Sequence, residues 1–331
     1  MPAEDPLVHT PATARAALGA VPAEPGAPKP DAIMVMDAVT RSFGGLKAVD
    51  VEHLEIQRGC ITGLIGPNGA GKTTLFNLLT GFDRPDTGSW TFEGRSLSGF
   101  PPHRVARRGV VRTFQLTKAL AKLTVLDNMR LGAPGQSGER FLGALFTPWG
   151  RQEKAITEKA RELLARFRLD AKADDLAGSL SGGQRKLLEM ARALMMDPIV
   201  MMLDEPMAGV NPVLVQNLLE HVKSLRDDGL TVVFVEHNMD VIRDISDWVV
   251  VMAQGRVIAE GPADVLSSNR AVVDAYLGAH HDRTLEFDSR GDPVGETAKL
   301  MAEMEHIELA EQAGPPGHPP SPVAREREER S

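Results

Sequence analysis

Eight residues constrain this chain more than any others: Gly66-Pro67-Asn68-Gly69-Ala70-Gly71-Lys72-Thr73. Average residue frequencies give that glycine, lysine and threonine spacing roughly one chance in a hundred of arising by accident at this length. Its surroundings reduce the chance further. Cys60-Ile61-Thr62-Gly63-Leu64-Ile65 is a short apolar run that predicts a buried strand, and Thr73-Thr74-Leu75-Phe76-Asn77-Leu78-Leu79 predicts a helix closed by Gly81. Strand, glycine loop and helix, in that order, build a phosphate cradle: backbone N–H groups and the positive helix end face anionic oxygens, Lys72 reaches terminal phosphates from an exposed mouth, and Thr73 offers a hydroxyl to Mg²⁺.

A second run follows 107 residues later, Leu180-Ser181-Gly182-Gly183-Gln184. It predicts a helix through Leu194 with Ser181 as N-cap. Capping explains the serine but leaves Gly182-Gly183 unexplained, since glycines weaken a first helical turn; an anion approaching the backbone closely supplies a reason. Ile199 to Leu203, Thr231 to Val235 and Trp248 to Met252 read as buried β runs, separated by helical stretches at Pro212 to Arg226 and Met239 to Ile245. That alternation predicts an α/β core with a largely parallel, helix-covered sheet. Ile33 to Val39 reads as an edge strand, and with Ser89 to Glu93 and Val110 to Phe114 it suggests a small antiparallel portion beside the phosphate loop.

Roughly 116–196 reads as a helical insertion whose clearest amphipathic stretch is Glu153 to Phe167. Within it, Phe141, Leu142, Leu145, Phe146 and Trp149 read either as a packed cover or as a partner-binding surface. Residues 1–31, rich in alanine and proline, are expected to form a disordered leader; residues 283–331 are expected to form a disordered tail or, at 296–312, a docking helix. The charge is uneven: of a formal −8, the tail carries −5 and the leader −2, leaving about −1 for residues 32–282. A near-neutral body without a basic run argues against nucleic acid as the main partner. Neither a secretory signal nor an 18-residue apolar span is apparent, and the single cysteine, Cys60, reads as a buried inert thiol.

In their order, these motifs resemble the ATP-binding-cassette (ABC) ATPases over about residues 32–282: the phosphate loop, Gln115 after a strand, Leu180 to Gln184, an apolar strand ending Asp204-Glu205-Pro206, then His237. Alone, Asp204-Glu205-Pro206 also reads as a turn, and His237 as a capping or core histidine. The resemblance implies a RecA-like core, an antiparallel β-subdomain and an inserted helical subdomain, with ATP and Mg²⁺ as cofactors. Residues Gly66 to Thr74 would bind ATP together with Val49 and an adenine-stacking Phe43, which otherwise reads as a core residue. Thr73, Gln115 and Asp204 would serve Mg²⁺, Asp204 through a water; Glu205 would polarise the attacking water, and His237 would contact the γ-phosphate. Ser181, Gly182, Gly183 and Gln184 would meet ATP held by a second subunit. One departure concerns Met207-Ala208-Gly209-Val210-Asn211-Pro212, where many members have a loop ending in Asp; Asn211-Pro212 instead suits a helix N-cap and first turn.

Phe43-Gly44-Gly45-Leu46-Lys47-Ala48-Val49, Gly109 to Gln115, Ala208 to Pro212 and Ala275-Tyr276-Leu277-Gly278 are similar to the ATPase subunits of branched-chain amino-acid importers and their relatives for amides and urea. That resemblance implies a peripheral protein at the cytoplasmic membrane face, docked on separate permeases that a solute-binding protein feeds. An ATPase of a lipid or lipopolysaccharide exporter, and a soluble non-transport ABC ATPase, are the competing readings.

Overall fold

The computed structural model describes residues 11–113, 118–135, 149–236, 238–266 and 269–280. Two sheets form its frame. Strands β1 (Ala32–Phe43), β2 (Leu46–Gln57), β4 (Thr87–Phe92) and β5 (Arg95–Ser96) make an antiparallel sheet in the order β2-β1-β4-β5. Strands β3 (Ile61–Ile65), β6 (Val110–Arg112), β7 (Val200–Asp204), β8 (Thr231–Val235), β9 (Trp248–Ala253) and β10 (Arg256–Gly261) make the second, in the order β10-β9-β3-β8-β7-β6. All its pairings are parallel except β10 with β9.

Side-chain alternation explains why these strands read as unbroken apolar runs. Ile61, Ile65, Met201 and Leu203 face one core, whereas Cys60, Leu64, Val200 and Met202 face another. The parallel sheet is therefore buried on both sides. The second core lies between the two sheets and takes in Leu75, Phe76, Leu78 and Leu79 of the helix that follows the phosphate loop, α2 (Lys72–Leu79). Within it Cys60 is fully buried, and that burial pushes its thiol up to about 12. An inert thiol is the consequence.

Two strand expectations change. Strand β1 is internal, paired with β2 on one side and β4 on the other, rather than at an edge. Strand β6 leaves the antiparallel group altogether and pairs in parallel with β7, Val110 to Val200 and Arg112 to Met202. A three-residue strand with only two apolar residues carries no orientation signal, and the packing of Val110 and Val111 into the two cores decides its place.

After α3 (Pro102–Ala106), the described part of the helical insertion holds α4 (Val125–Leu131), α5 (Trp149–Arg166) and α6 (Gly182–Leu194). Helices α7 (Pro212–Asp227), α8 (Met239–Ile245), α9 (Ala263–Leu266) and α10 (Arg270–His280) complete the chain, and α7 starts directly after Asn211 as the Asn-Pro pair predicts. The cluster Phe141, Leu142, Leu145 and Phe146 lies outside the described residues, as does the tail with its expected helix at 296–312.

The leader departs most from expectation. Residues 11–30 are ordered against the body: α1 (Pro11–Leu18) buries Ala14 and Leu18, one turn apart on a single face. Farther along, Lys29 and Glu260 form an ion pair at 3.2 Å with side-chain exposures of 1% and 0%. Glu260 also accepts from the Ala27 N–H at 2.9 Å and from Trp248 Nε1 at 3.1 Å, while the Lys29 ammonium lies 4.7 Å from the Trp248 ring centre. A buried carboxylate needs such partners, and the leader supplies two of them. Low complexity hid this because the partners sit about 230 residues away.

Candidate nucleotide site

Parallel strands bring their C-terminal ends to one edge of a sheet, where α/β ligand sites lie. Here Leu64 of β3 is level with Val235 of β8, and Val235 is level with Asp204 of β7. Gly66, Asp204, Glu205 and Glu236 therefore emerge side by side, although the sequence separates them by up to 170 positions. Met202 of β7 is level with Arg112 of β6, which puts that arginine at the same edge.

The phosphate loop is held by close packing. A Cβ on Gly66 would fall 2.1 Å from the Met252 carbonyl oxygen, and one on Gly71 would fall 2.2 Å from that of Ala48. Both residues also have positive φ, +148° and +98°, which side chains rarely adopt. Gly71 is the N-cap of α2 and brings no side chain to it, so the first-turn N–H groups keep their capacity for an anion. Lys72 is not at an exposed mouth as expected. Only 6% of it is exposed, and its Nζ donates to the carbonyls of Gly66 at 2.6 Å and Pro67 at 3.0 Å. Burial pushes its pKa down, and the nearby Glu205 and Asp204 carboxylates pull it back up. Thr73 is exposed beside it, and Thr74 is half-buried.

Asp204 ends β7, and its carboxylate accepts from Nη2 of Arg112. The other arm of that guanidinium donates to Asn77 Oδ1 of α2 at 2.6 Å, and its Cζ lies 5.8 Å from the Phe76 ring centre. Glu205 turns the chain sharply with φ of +46°, a left-handed conformation costing about 1–3 kcal/mol in a residue other than glycine. Its N–H donates to the Val235 carbonyl at 3.1 Å, which ties the turn to β8. Glu236, buried at the end of β8, accepts from the Met207 N–H at 3.0 Å. It thereby links the loop after Glu205 to the residue before His237. His237 and Gln115 themselves lie outside the described residues.

Ser181 caps α6 as predicted, with a reciprocal pair: its Oγ accepts from the Gln184 N–H at 3.3 Å, and Gln184 Oε1 accepts from the Ser181 N–H at 3.0 Å. The two glycines behind it prove different. Gly183 is buried, and a Cβ there would come within 2.6 Å of Leu214 Cδ1 and 3.1 Å of Leu214 Cβ on α7. Helix packing therefore explains Gly183 without an anion. Gly182 is exposed, and its nearest obstacle to a Cβ is the Gly209 carbonyl oxygen at 3.7 Å, an ordinary contact. Packing leaves Gly182 unexplained.

At the other end of the site, Phe43 is 49% exposed, which removes its reading as a core residue. The Arg41 guanidinium stacks 4.6 Å from its ring centre and is held by Asp83 and Asp86, both at 2.8 Å. Val49 is fully buried in the second core and offers no surface to a ligand, contrary to expectation. Alternation along β2 decides this, since a one-residue step turns a side chain to the opposite face.

Comparison with known proteins agrees with this geometry. A family model described as ABC transporter matches residues 49–208, and a second, described as branched-chain amino acid ATP-binding cassette transporter, matches 256–282. The chain is 44% identical over 247 residues to the probable branched-chain amino acid transport ATP-binding protein LivG of Archaeoglobus fulgidus, spanning 75% of this chain and 96% of that one. The chain belongs to the ABC transporter ATP-binding family. The cassette is also 39% identical over 249 residues to the high-affinity branched-chain amino acid transport ATP-binding protein BraF of Pseudomonas aeruginosa, spanning 74% of this chain and 98% of that one. The crystal structure of a nucleotide-free ATP-binding cassette from an ABC transporter superposes with a TM-score of 0.66 at 36% identity, over 74% of this chain and 98% of that one. An ADP conformation of such a cassette gives 0.66 at 35% identity, over 75% and 99%.

Membership of that family makes the cassette a P-loop ATPase. Arg112, Glu236 and Leu214 are the residues sequence reasoning passed over. Arg112 stands within the Gly109 to Gln115 stretch as a lone cation ending an apolar strand, which is signal enough to single it out. Glu236 and Leu214 gave none, because their partners are set by packing.

Proposed function

We propose that this cassette is the ATP-hydrolysing, energy-coupling subunit of an importer for branched-chain amino acids. The match of residues 256–282 to the branched-chain cassette model carries that reading, because this segment lies outside the phosphate machinery that all ABC ATPases require. The names of its relatives agree with it. No described helix is long and apolar enough to cross a membrane, so contact with the membrane falls to separate permease subunits. A cavity of about 240 Å³ at the foot of the helical insertion is lined by residues including Phe82, Arg112, Glu189 and Arg192, and by Thr113, two positions before Gln115 in sequence. We place the permease contact there.

In this reading the α2 N-terminus and Lys72 hold the phosphates, and Phe43 presents its exposed ring to adenine. The donor set suits Mg²⁺: the Thr73 hydroxyl would be a hard oxygen ligand, the Asp204 carboxylate would hold the metal through water, and Gln115 is close in sequence to Arg112. When bound, the metal neutralises charge on the transferring phosphoryl group. Glu205, fixed by its turn, would polarise the attacking water, and His237, next in sequence after Glu236, would contact the γ-phosphate. The Ser181 to Gln184 turn, with Ser181 and Gly182 exposed, is the surface offered to ATP on a second, head-to-tail subunit.

Glu205→Gln tests the mechanism. It removes the carboxylate but keeps Lys72, Thr73 and Asp204, so hydrolysis should stop with ATP still bound, and the ligand should then hold a closed dimer together. Light scattering after size exclusion, with and without ATP, reads the outcome. Wild-type turnover would remove Glu205 as the base, and a monomer at saturating ATP would show that closure needs the permeases. Uptake of labelled leucine by vesicles holding the cognate permeases tests the solute.

A further inference from the structure

Arg112 both lines the cavity beside the helical insertion and bonds to a carboxylate of the nucleotide site. Its side chain is 11% exposed and that of Asp204 is 27% exposed, so the pair is shielded without being sealed from solvent. One arm reaches Asn77 of α2 and the other reaches Asp204 of β7, which places the guanidinium between the phosphate-loop helix and the acidic strand. A carboxylate engaged by a guanidinium is not equally available to a second cation.

We propose that Arg112 is a positioning residue whose guanidinium holds Asp204 until a divalent cation displaces it. The inference rests on the reading that the Asp204 carboxylate holds the metal, directly or through its water. Two cations compete for one carboxylate: the arginine bond must weaken before the metal gains Asp204, so metal affinity is set partly by how firmly Arg112 is held elsewhere. Reciprocity follows. Any group in the cavity that draws Arg112 away from Asp204 tightens the metal by the same factor, which gives the two sides of this residue a thermodynamic connection. A purely structural arginine would do the opposite, because removing it would loosen Asp204 and weaken the metal.

The sign of the effect therefore decides the matter. Free Mn²⁺ is measured by electron paramagnetic resonance during titration of the full chain with ADP present, which reads binding without hydrolysis. Arg112→Gln keeps an amide donor for Asn77 and removes the charge. It should lower the Mn²⁺ concentration at half-saturation about tenfold, the size expected for loss of one charge-assisted hydrogen bond. Arg112→Lys retains the charge but cannot grip Asn77 and Asp204 together; it should give a smaller decrease, and it serves if the glutamine variant fails to fold. In an Asp204→Asn background, Arg112→Gln should change nothing. Unchanged or weakened Mn²⁺ binding in Arg112→Gln, with Asp204→Asn still weakening it, overturns the competition alone. Mn²⁺ binding untouched by Asp204→Asn overturns the metal-ligand reading, and the competition with it.

Discussion

The phosphate loop and the Ser181 to Gln184 turn are both glycine-rich helix starts, yet they are built on opposite principles. At the loop, Gly66 and Gly71 lie against carbonyl oxygens of Met252 and Ala48, and Lys72 is folded inward. The turn satisfies its own polar groups through Ser181 and Gln184 and leaves Gly182 open to solvent. The first is a cradle completed within one chain. The second is a finished cap with a bare backbone face, which suits a ligand delivered by another subunit. Glycine thus serves the interior in one place and the exterior in the other.

Gly71→Ala should have the largest effect. The new Cβ meets a backbone carbonyl that cannot swing aside, and the left-handed φ adds about 1–3 kcal/mol of strain. Nucleotide binding should vanish in a fluorescent-ATP titration, with a clear fall in melting temperature. Retained binding would mean that the loop yields, and that the contrast with the turn is overstated.

Ser181→Arg should cost about 1 kcal/mol through the lost cap, with hydrolysis falling to background while each subunit still binds nucleotide. Steady-state ATPase and equilibrium binding on the same preparation separate the two. Equal loss of binding in a monomer would place Ser181 in its own subunit's site.

The finest test lies within the turn. Gly183→Ala should destabilise by about 1–3 kcal/mol through overpacking against Leu214. Gly182→Ala should leave melting unchanged or slightly raised, since alanine suits a helix better, while ATP turnover drops. If both glycines affect only stability, the turn is a packing device and nothing more.

Much of this was legible along the chain. Helix α8 and strand β8 have the bounds predicted for them, and α6 begins at the serine that its capping pattern marked. Such elements depend on periodicity and capping within a few residues, which a linear reading captures. The site's order of motifs was legible for the same reason, because each motif is local.

What the sequence determined by itself is the identity of the phosphate loop, the alternating α/β plan and the candidate acids Asp204 and Glu205. Tertiary structure alone decided which sheet β6 joins, that Val49 turns inward, that Gly183 answers to Leu214, that residues 11–30 dock through Lys29 and Glu260, and that Arg112 holds Asp204. The physical reason is range. Backbone propensity, capping and periodicity act over one or two turns of chain, whereas burial and charge pairing depend on partners that only folding brings into contact.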